Sequence, residues 1–287
     1  MKLSCLPVSL YPALASGVIT LPNWFHIANT LGLDGADLSV AHIQERTPHY
    51  LRSLRQAASD NGVEIPMIVT YTDFTLPDAA QRAQQVEDLR AWIAAAAELG
   101  VSYLRVTAGQ NHEGITEEDG LKWATEGLTA CVEEARQAGV ELLYENHVRG
   151  ALWSQNDFTQ PVARYLEVVR RSAESGLRLL FDTANPLALG DDPLALLDQV
   201  KNRVGAIHLS DIRQVGTFEP TVIGTGVAPH TQILRSMVES GFDGWISIEE
   251  GSKTGLESFH HAVKVVDQIW VDVGGKARAR RNSTAAC

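Results

Sequence analysis

The sequence predicts an α/β fold, a single (β/α)8 barrel of the TIM-barrel class. Three observations lead there. Apolar runs of strand length alternate eight times with amphipathic helical patterns, the signature of βα units on a parallel sheet. Five of the helical patterns stop at a glycine just before the next apolar run, at Gly62, Gly100, Gly139, Gly176 and Gly241. Four of the later runs end at a residue able to bind a metal, and the carboxyl ends of parallel barrel strands converge on one mouth. A doubly wound open sheet would instead spread those four residues along a line.

Strand one is expected over 3–10, with a helix over 21–31 that has Pro22 early in it. Strand two covers 35–40 and its helix 48–61, which stops at Gly62. Strand three covers 64–70. The helix after it, 77–99, contains Ala94-Ala95-Ala96-Ala97, which favours helix strongly. Strand four, 101–107, leads to a helix over 117–138, and strand five, 140–145, to one over 156–175. Strand six is 177–182 with a shorter helix at 193–202, and strand seven 204–209 with a helix at 230–240. Strand eight is 244–249, and the closing helix runs over 255–271. Spacing is close to uniform and no linker interrupts it, so residues 1–273 read as one domain, as α/β barrels of about 250 residues are. Residues 274–287, with Lys276, Arg278, Arg280 and Arg281 among small residues, read as a flexible C-terminal tail.

Of the 287 residues, 45% are hydrophobic and 21% charged, an ordinary globular balance with length for a large core. A net charge of −11 opposes a nucleic-acid surface and fits a protein acting on small molecules. No stretch is long and apolar enough to span a membrane, and residues 1–8 are too short an apolar segment for a signal peptide. Cys5, Cys131 and Cys287 have no CxxC spacing; they read as free thiols, the first two buried, in a reducing cytoplasm.

The stretch Val140-Glu141-Leu142-Leu143-Tyr144-Glu145-Asn146-His147 begins as a buried strand and ends in a carboxylate, an amide and an imidazole. Strands six, seven and eight repeat that design, ending in Asp182, His208 and Glu249. Singly each has a plain reading, Asp182 as a turn cap and His208 as a satisfied core histidine. Glu145 and Glu249 are harder to explain away, because a carboxylate ending an apolar strand is poorly solvated unless paired. Three carboxylates in one mouth repel one another without a cation. A structural ion-pair cluster would need several basic partners, and only Arg105, Arg213 and Lys253 are at hand. One divalent metal ion is therefore expected on Glu145, Asp182, His208 and Glu249. The oxygen-rich set suits Mn2+ first, with Mg2+, Co2+ and Zn2+ as alternatives. Four protein ligands leave room for two oxygens of a hydroxy-ketone.

Tyr144-Glu145-Asn146-His147, Phe181-Asp182-Thr183-Ala184-Asn185, Ile207-His208-Leu209-Ser210-Asp211 and Ile223-Gly224-Thr225-Gly226 stand in a recognisable order. They are followed by Gly241-Phe242-Asp243-Gly244-Trp245-Ile246-Ser247-Ile248-Glu249. In these motifs the chain resembles the xylose isomerase-like barrels, specifically the sugar phosphate isomerase/epimerase group. The resemblance covers about residues 140–270 and implies that Glu145, Asp182, His208 and Glu249 bind one catalytic divalent ion. Ala151 and Asn185 stand where the similar ketohexose 3-epimerases carry a glutamate and a histidine, which argues against a free-sugar 3-epimerase. Glu145-Asn146-His147 resembles the corresponding stretch of 3-dehydroshikimate and inosose dehydratases, although Ser210 replaces a lysine frequent in the former. The three-zinc endonuclease branch needs more histidines than these strand ends offer.

The chemistry the resemblance implies is removal of a proton α to a carbonyl. The ion polarises the carbonyl, and Glu145, Glu249 and His147 are the candidates to transfer the proton. For His147 a hydrogen-bonding role beside the ligands is the equal alternative. Three functions follow in order. The first is an isomerase or epimerase of a keto-carbohydrate working through an enediolate. The second is a lyase or dehydratase acting on a 3-keto sugar, an inosose or a 3-dehydroshikimate-like substrate. The third is a non-catalytic sugar-binding barrel. Substrate contacts are expected from Arg105, Tyr71, Trp153 and Asn185, against plain readings as rim salt bridge or packing. Asp211 is read as orienting His208 or as capping a loop, and Gly224 and Gly226 as shaping a βα loop. Expected partners are a small-molecule carbohydrate or keto-polyol, with no nucleic acid and no membrane; a homo-oligomer is left open.

Overall fold

A computed structural model describes residues 1–279. Its strands are β1 (Lys2–Leu6), β2 (Leu38–Ser39), β3 (Met67–Val69), β4 (Tyr103–Val106), β5 (Glu141–Glu145), β6 (Arg178–Asp182), β7 (Val204–Leu209) and β8 (Trp245–Glu249). All pairings are parallel, in the order β1-β8-β7-β6-β5-β4-β3-β2. Between β1 and β2 no ladder forms, but Gly35 N donates to Leu3 O (3.2 Å) and Asp37 N to Cys5 O (3.0 Å), so backbone bonds span the gap. The sheet is a ring. That excludes the open-sheet alternative and makes the chain a (β/α)8 barrel.

The helices are α1 (Tyr11–Ala15), α2 (Leu21–Thr30), α3 (Pro48–Asp60), α4 (Ala79–Leu99), α5 (Glu117–Thr129), α6 (Val132–Gln137), α7 (Val162–Arg171), α8 (Pro193–Val200), α9 (His230–Glu239) and α10 (Leu256–Asp272). Expected glycine stops appear as left-handed turns, as at Gly100 after α4 (φ 76°). Four expectations need correction. Strand one ends at Leu6 rather than Leu10, because Pro7 has no N–H to continue the ladder and a short 3-10 turn and α1 follow. Strand two shrinks to two residues. The single helix at 117–138 is two, broken at Cys131, whose backbone is not helical (φ −119°, ψ 10°). The helix at 156–175 starts only at Val162, because Asp157 folds its carboxylate onto the Thr159 N–H in a turn (2.7 Å) and Pro161 precedes the first helical residue.

Period-two alternation places the functional side chains. Leu143, Leu180 and Ala206 point into the barrel with Leu6, Met67, Val69 and Trp245, and together they form an apolar plug. Two residues further along β5, β6 and β7 come Glu145, Asp182 and His208, on the same inward face and one layer higher. The alternate residues Leu142, Tyr144, Leu179, Phe181, Ile207, Ile246 and Ile248 belong to the larger core between sheet and helices. Apart from Glu141 and Arg178 at the start of β5 and β6 and Ser247 in β8, strands β5 to β8 carry apolar, glycine or tyrosine residues up to Glu145, Asp182, His208 and Glu249, which is why those four stand out in the sequence.

Residues 274–279 are not free. The Arg278 guanidinium binds Asp267 (2.7 and 2.8 Å), Asp34 Oδ2 (2.8 Å) and the Gly32 carbonyl (3.0 Å), and Trp270 Nε1 donates to the Lys276 carbonyl (3.1 Å). A tail flexible from Gly274 onward is corrected to that extent. Arg280, Arg281 and Cys287 lie outside the described residues, while Cys5 and Cys131 are buried free thiols. No helix among the described residues is long and apolar enough to cross a membrane.

Candidate metal centre

β5, β6, β7 and β8 deliver Glu145, Asp182, His208 and Glu249 to one place, with a ligand atom of each within 4.8 Å of the others. Asp182 and His208 are direct neighbours in the β6–β7 ladder. His208 Nδ1 lies 2.7 Å from Glu145 Oε1 and 3.0 Å from Glu249 Oε2, and Arg105 Nη1 lies 3.4 Å from Glu145 Oε2. Burial by itself raises the Glu145 carboxyl, but His208 and the Arg105 guanidinium outweigh it and hold the group well below the usual range. Asp182 goes the other way. Burial, then the Glu249 and Glu145 carboxylates, push it up to about 8. Burial would lower the His208 imidazole, yet the same two glutamates raise it well above its ordinary value.

Two atoms of the cluster, Asp182 Oδ2 and His208 Nε2, are buried without a hydrogen-bond partner. Leaving one such group unpaired costs about 1–3 kcal/mol, more for a charge. Without an ion the converging carboxylates are tolerated only with protons held on Asp182 and His208 beside the Arg105 guanidinium, and a divalent cation fits this donor set in place of those protons.

The strand ends are tied to one another. Asn146 Nδ2 donates to the Asp182 carbonyl (3.0 Å) and Asn146 Oδ1 accepts from the Asp182 N–H (2.8 Å). Asp182 Oδ1 accepts the N–H groups of Ala184 (2.9 Å) and Asn185 (2.6 Å) and the Ser210 hydroxyl (2.8 Å), so its carboxylate is fixed through one oxygen and free through the other. Beneath the cluster Asp37 accepts from the Ser4 and Ser247 hydroxyls, fully enclosed, and burial pushes it up to about 6.

A cavity of about 500 Å3 opens beside the cluster and is lined by Glu249, Arg105, Tyr71, His147 and Asn185 among others. Glu145 is sealed beneath it, its side chain 1% exposed against 30% for Glu249. Arg105, 3% exposed, leaves Nε and Nη1 without hydrogen bonds and lies over the Tyr71 ring at 5.1 Å. Asn185 spends its amide on the Asn146 carbonyl (3.0 Å). Trp153 stands edge-on to His147 (ring centroids 5.3 Å apart) and donates to the Tyr71 carbonyl (3.4 Å), buried rather than on the cavity wall.

Of the two readings of Asp211, the structure supports the loop cap. Its carboxylate collects the N–H groups of Ile212, Gly224, Gly226 and Ala228 (2.9–3.0 Å) and makes no bond to His208. A Cβ at Gly226 would overlap the Ile212 carbonyl and this carboxylate, so the Gly-Thr-Gly sequence cradles an internal anion. Sequence reasoning passed over Asn146 as a tie, and over Asp37 and Asp157. Asp37 stands just before a two-residue strand too short for a pattern, and Asp157 within a stretch read as helix.

The chain belongs to the xylose isomerase-like TIM barrel family, whose match runs over residues 25–269. It is similar to an inosose dehydratase of Lacticaseibacillus casei, 27% identical over 166 residues, 52% of this chain and 53% of that one. The match thus spans about half the length of that relative. It is also similar to an L-ribulose-5-phosphate 3-epimerase of Shigella sonnei, 25% identical over 290 residues and 97% of both chains. Among solved structures it shares its fold with the IOLI protein crystallised with a binding zinc atom. That likeness has a TM-score of 0.74 and 17% identity, over 95% of this chain and 98% of the other.

Proposed function

We propose that the protein is a divalent-metal-dependent isomerase or epimerase acting on a keto-carbohydrate through an enediolate. The observation that carries this is the four-residue cluster with its unpaired Asp182 Oδ2 and His208 Nε2, opening onto a cavity of about 500 Å3. Glu145, Asp182, His208 and Glu249 would hold the ion, and Mn2+ suits three carboxylates and one imidazole best. When bound, such an ion supplies Lewis acidity toward a carbonyl oxygen. Everything else falls to side chains. Glu249 faces the cavity and takes the proton α to the carbonyl, while Glu145, buried and paired with Arg105 and His208, serves the ion. His147, also on the cavity wall, is the second proton-transfer group. Arg105 offers unpaired N–H groups to substrate oxygens, and Tyr71 and Asn185 frame the same space. The likeness to an epimerase over 97% of the chain supports this outcome.

β-Elimination is the second reading. It is favoured by His147, which stands apart from the four-residue cluster and is available to protonate a leaving oxygen, and by the inosose dehydratase likeness. The test is product analysis in D2O with the Mn2+-loaded protein and a panel of keto-sugars, inososes and 3-dehydroshikimate. Unchanged mass apart from one incorporated deuterium means isomerase or epimerase. An α,β-unsaturated ketone with loss of water or an alcohol means lyase. No exchange with any member overturns enolisation and leaves a binding protein.

A further inference from the structure

We infer that Asp157 is a positioning residue that holds His147 with its proton on Nδ1 and turns Nε2 over to the substrate. His147 Nδ1 lies 3.4 Å from Asp157 Oδ2, and both residues are buried. A carboxylate can only accept, so the nitrogen facing it carries the hydrogen, and the other ring nitrogen is left with its lone pair. The carboxylate is itself immobile. Its Oδ1 accepts both the N–H and the hydroxyl of Thr159 (2.7 Å each), and Thr159 Oγ1 accepts the Tyr144 hydroxyl (2.8 Å) from the strand that ends in Glu145.

The backbone is pinned on either side, with Asp157 N donating to Val148 O and Phe158 N to Gly109 O (2.8 Å each). Trp153 closes on the ring edge-on. A four-member relay, Tyr144–Thr159–Asp157–His147, therefore runs from the β5 core to the cavity wall. It fixes one imidazole of a loop whose neighbours Arg149 and Ala151 are exposed. Nothing in a purely structural role calls for the last member to line the cavity, as His147 does. In the proposed reaction, on which the kinetic arm of this inference rests, Glu249 takes the α-proton in one direction and His147 Nε2 takes it in the other; its electron pair then stays in the enediolate while Nδ1–H stays hydrogen-bonded to Asp157.

The test is long-range 1H–15N correlation of the [15N]histidine-labelled, Zn2+-loaded protein, with the His147 signals identified by their loss in His147→Gln. The expected pattern is neutral Nδ1–H for His147, changed toward Nε2–H in Asp157→Asn. In the enolisation assay Asp157→Asn should lose about a hundredfold in kcat with little change in KM. His147 found as Nε2–H in the unaltered protein overturns the inference, as does an Asp157→Asn variant that keeps the Nδ1–H pattern and the full rate. Should Asp157→Asn not fold, the tautomer of the unaltered protein decides. An Nδ1–H tautomer in a protein that enolises no substrate sinks the proposed function and leaves the positioning intact.

Discussion

Asn146 and Asp182 bond to each other as two strand residues would, the Asn146 amide giving and taking one hydrogen bond with the Asp182 main chain. A side chain thus adds a rung to the β5–β6 ladder just where Glu145 and Asp182 are brought to one place. Asn146→Ala should destabilise the protein by roughly 2–3 kcal/mol, since it strands a buried donor and acceptor. It should also weaken metal binding by about tenfold or more, as loss of a group that orients ligands does. Denaturant unfolding and a metal titration check both; unaltered affinity would detach Asn146 from the site.

Asp182→Ala or His208→Ala should release metal and activity together and leave the barrel folded. Elemental analysis and circular dichroism decide it. A variant that keeps full metal stoichiometry removes that residue from the ligand set.

Protons should leave when the ion enters. Asp182, up at about 8, and the raised His208 both hold protons at pH 7, and ligation requires them to go. Calorimetry in buffers of different ionisation heat should find between one and two protons released per ion. Chelator-treated protein should also lose stability as pH rises from about 4 to 8. Over that window folded Asp182 binds a proton that the unfolded chain has given up, so the slope with pH is negative. Asp37, at about 6, adds the same sign between about 4 and 6. A thermal midpoint that climbs over that range would refute this account.

Glu145→Gln and Glu249→Gln should part company. Glu249→Gln removes the cavity-facing base, and turnover should fall about a hundredfold or more while metal affinity falls less. Glu145→Gln strikes a sealed carboxylate that Arg105 and His208 surround, so metal affinity should suffer most. Equal losses of both quantities in both variants would erase the division of labour.

Asp211→Ala should leave four backbone N–H groups unmatched and open the 211–228 loop. Increased proteolysis there, with metal content unchanged, is the expected result. Loss of metal instead would return Asp211 to orienting His208.

The barrel and its ligand positions were legible because β5 to β8 are largely apolar and each carries, at or next to its carboxyl end, a residue that could not be packed there. Trp153, Asp157 and Asn146 were legible only as residue types. Their roles depend on which loop folds over which, and a tryptophan reads the same from sequence whether it stacks on a sugar or stands edge-on to an imidazole. Element ends failed where Pro7 cut strand one short and where Cys131 and the Asp157 turn overrode a continuing helical pattern.

The Arg278 clasp bears on the order in which the fold is completed. Asp34, which Arg278 holds, also accepts the Leu3 N–H (2.9 Å), so the clasp sits on the one junction of the ring that lacks a ladder. Its two ends are 244 positions apart, and closing so long a loop is entropically late. During synthesis this clasp therefore forms only once Arg278 has been made, long after β1 and Asp34. A chain shortened before Arg278 would keep the backbone bonds of Gly35 and Asp37 to β1 and lose the side-chain clasp laid over them.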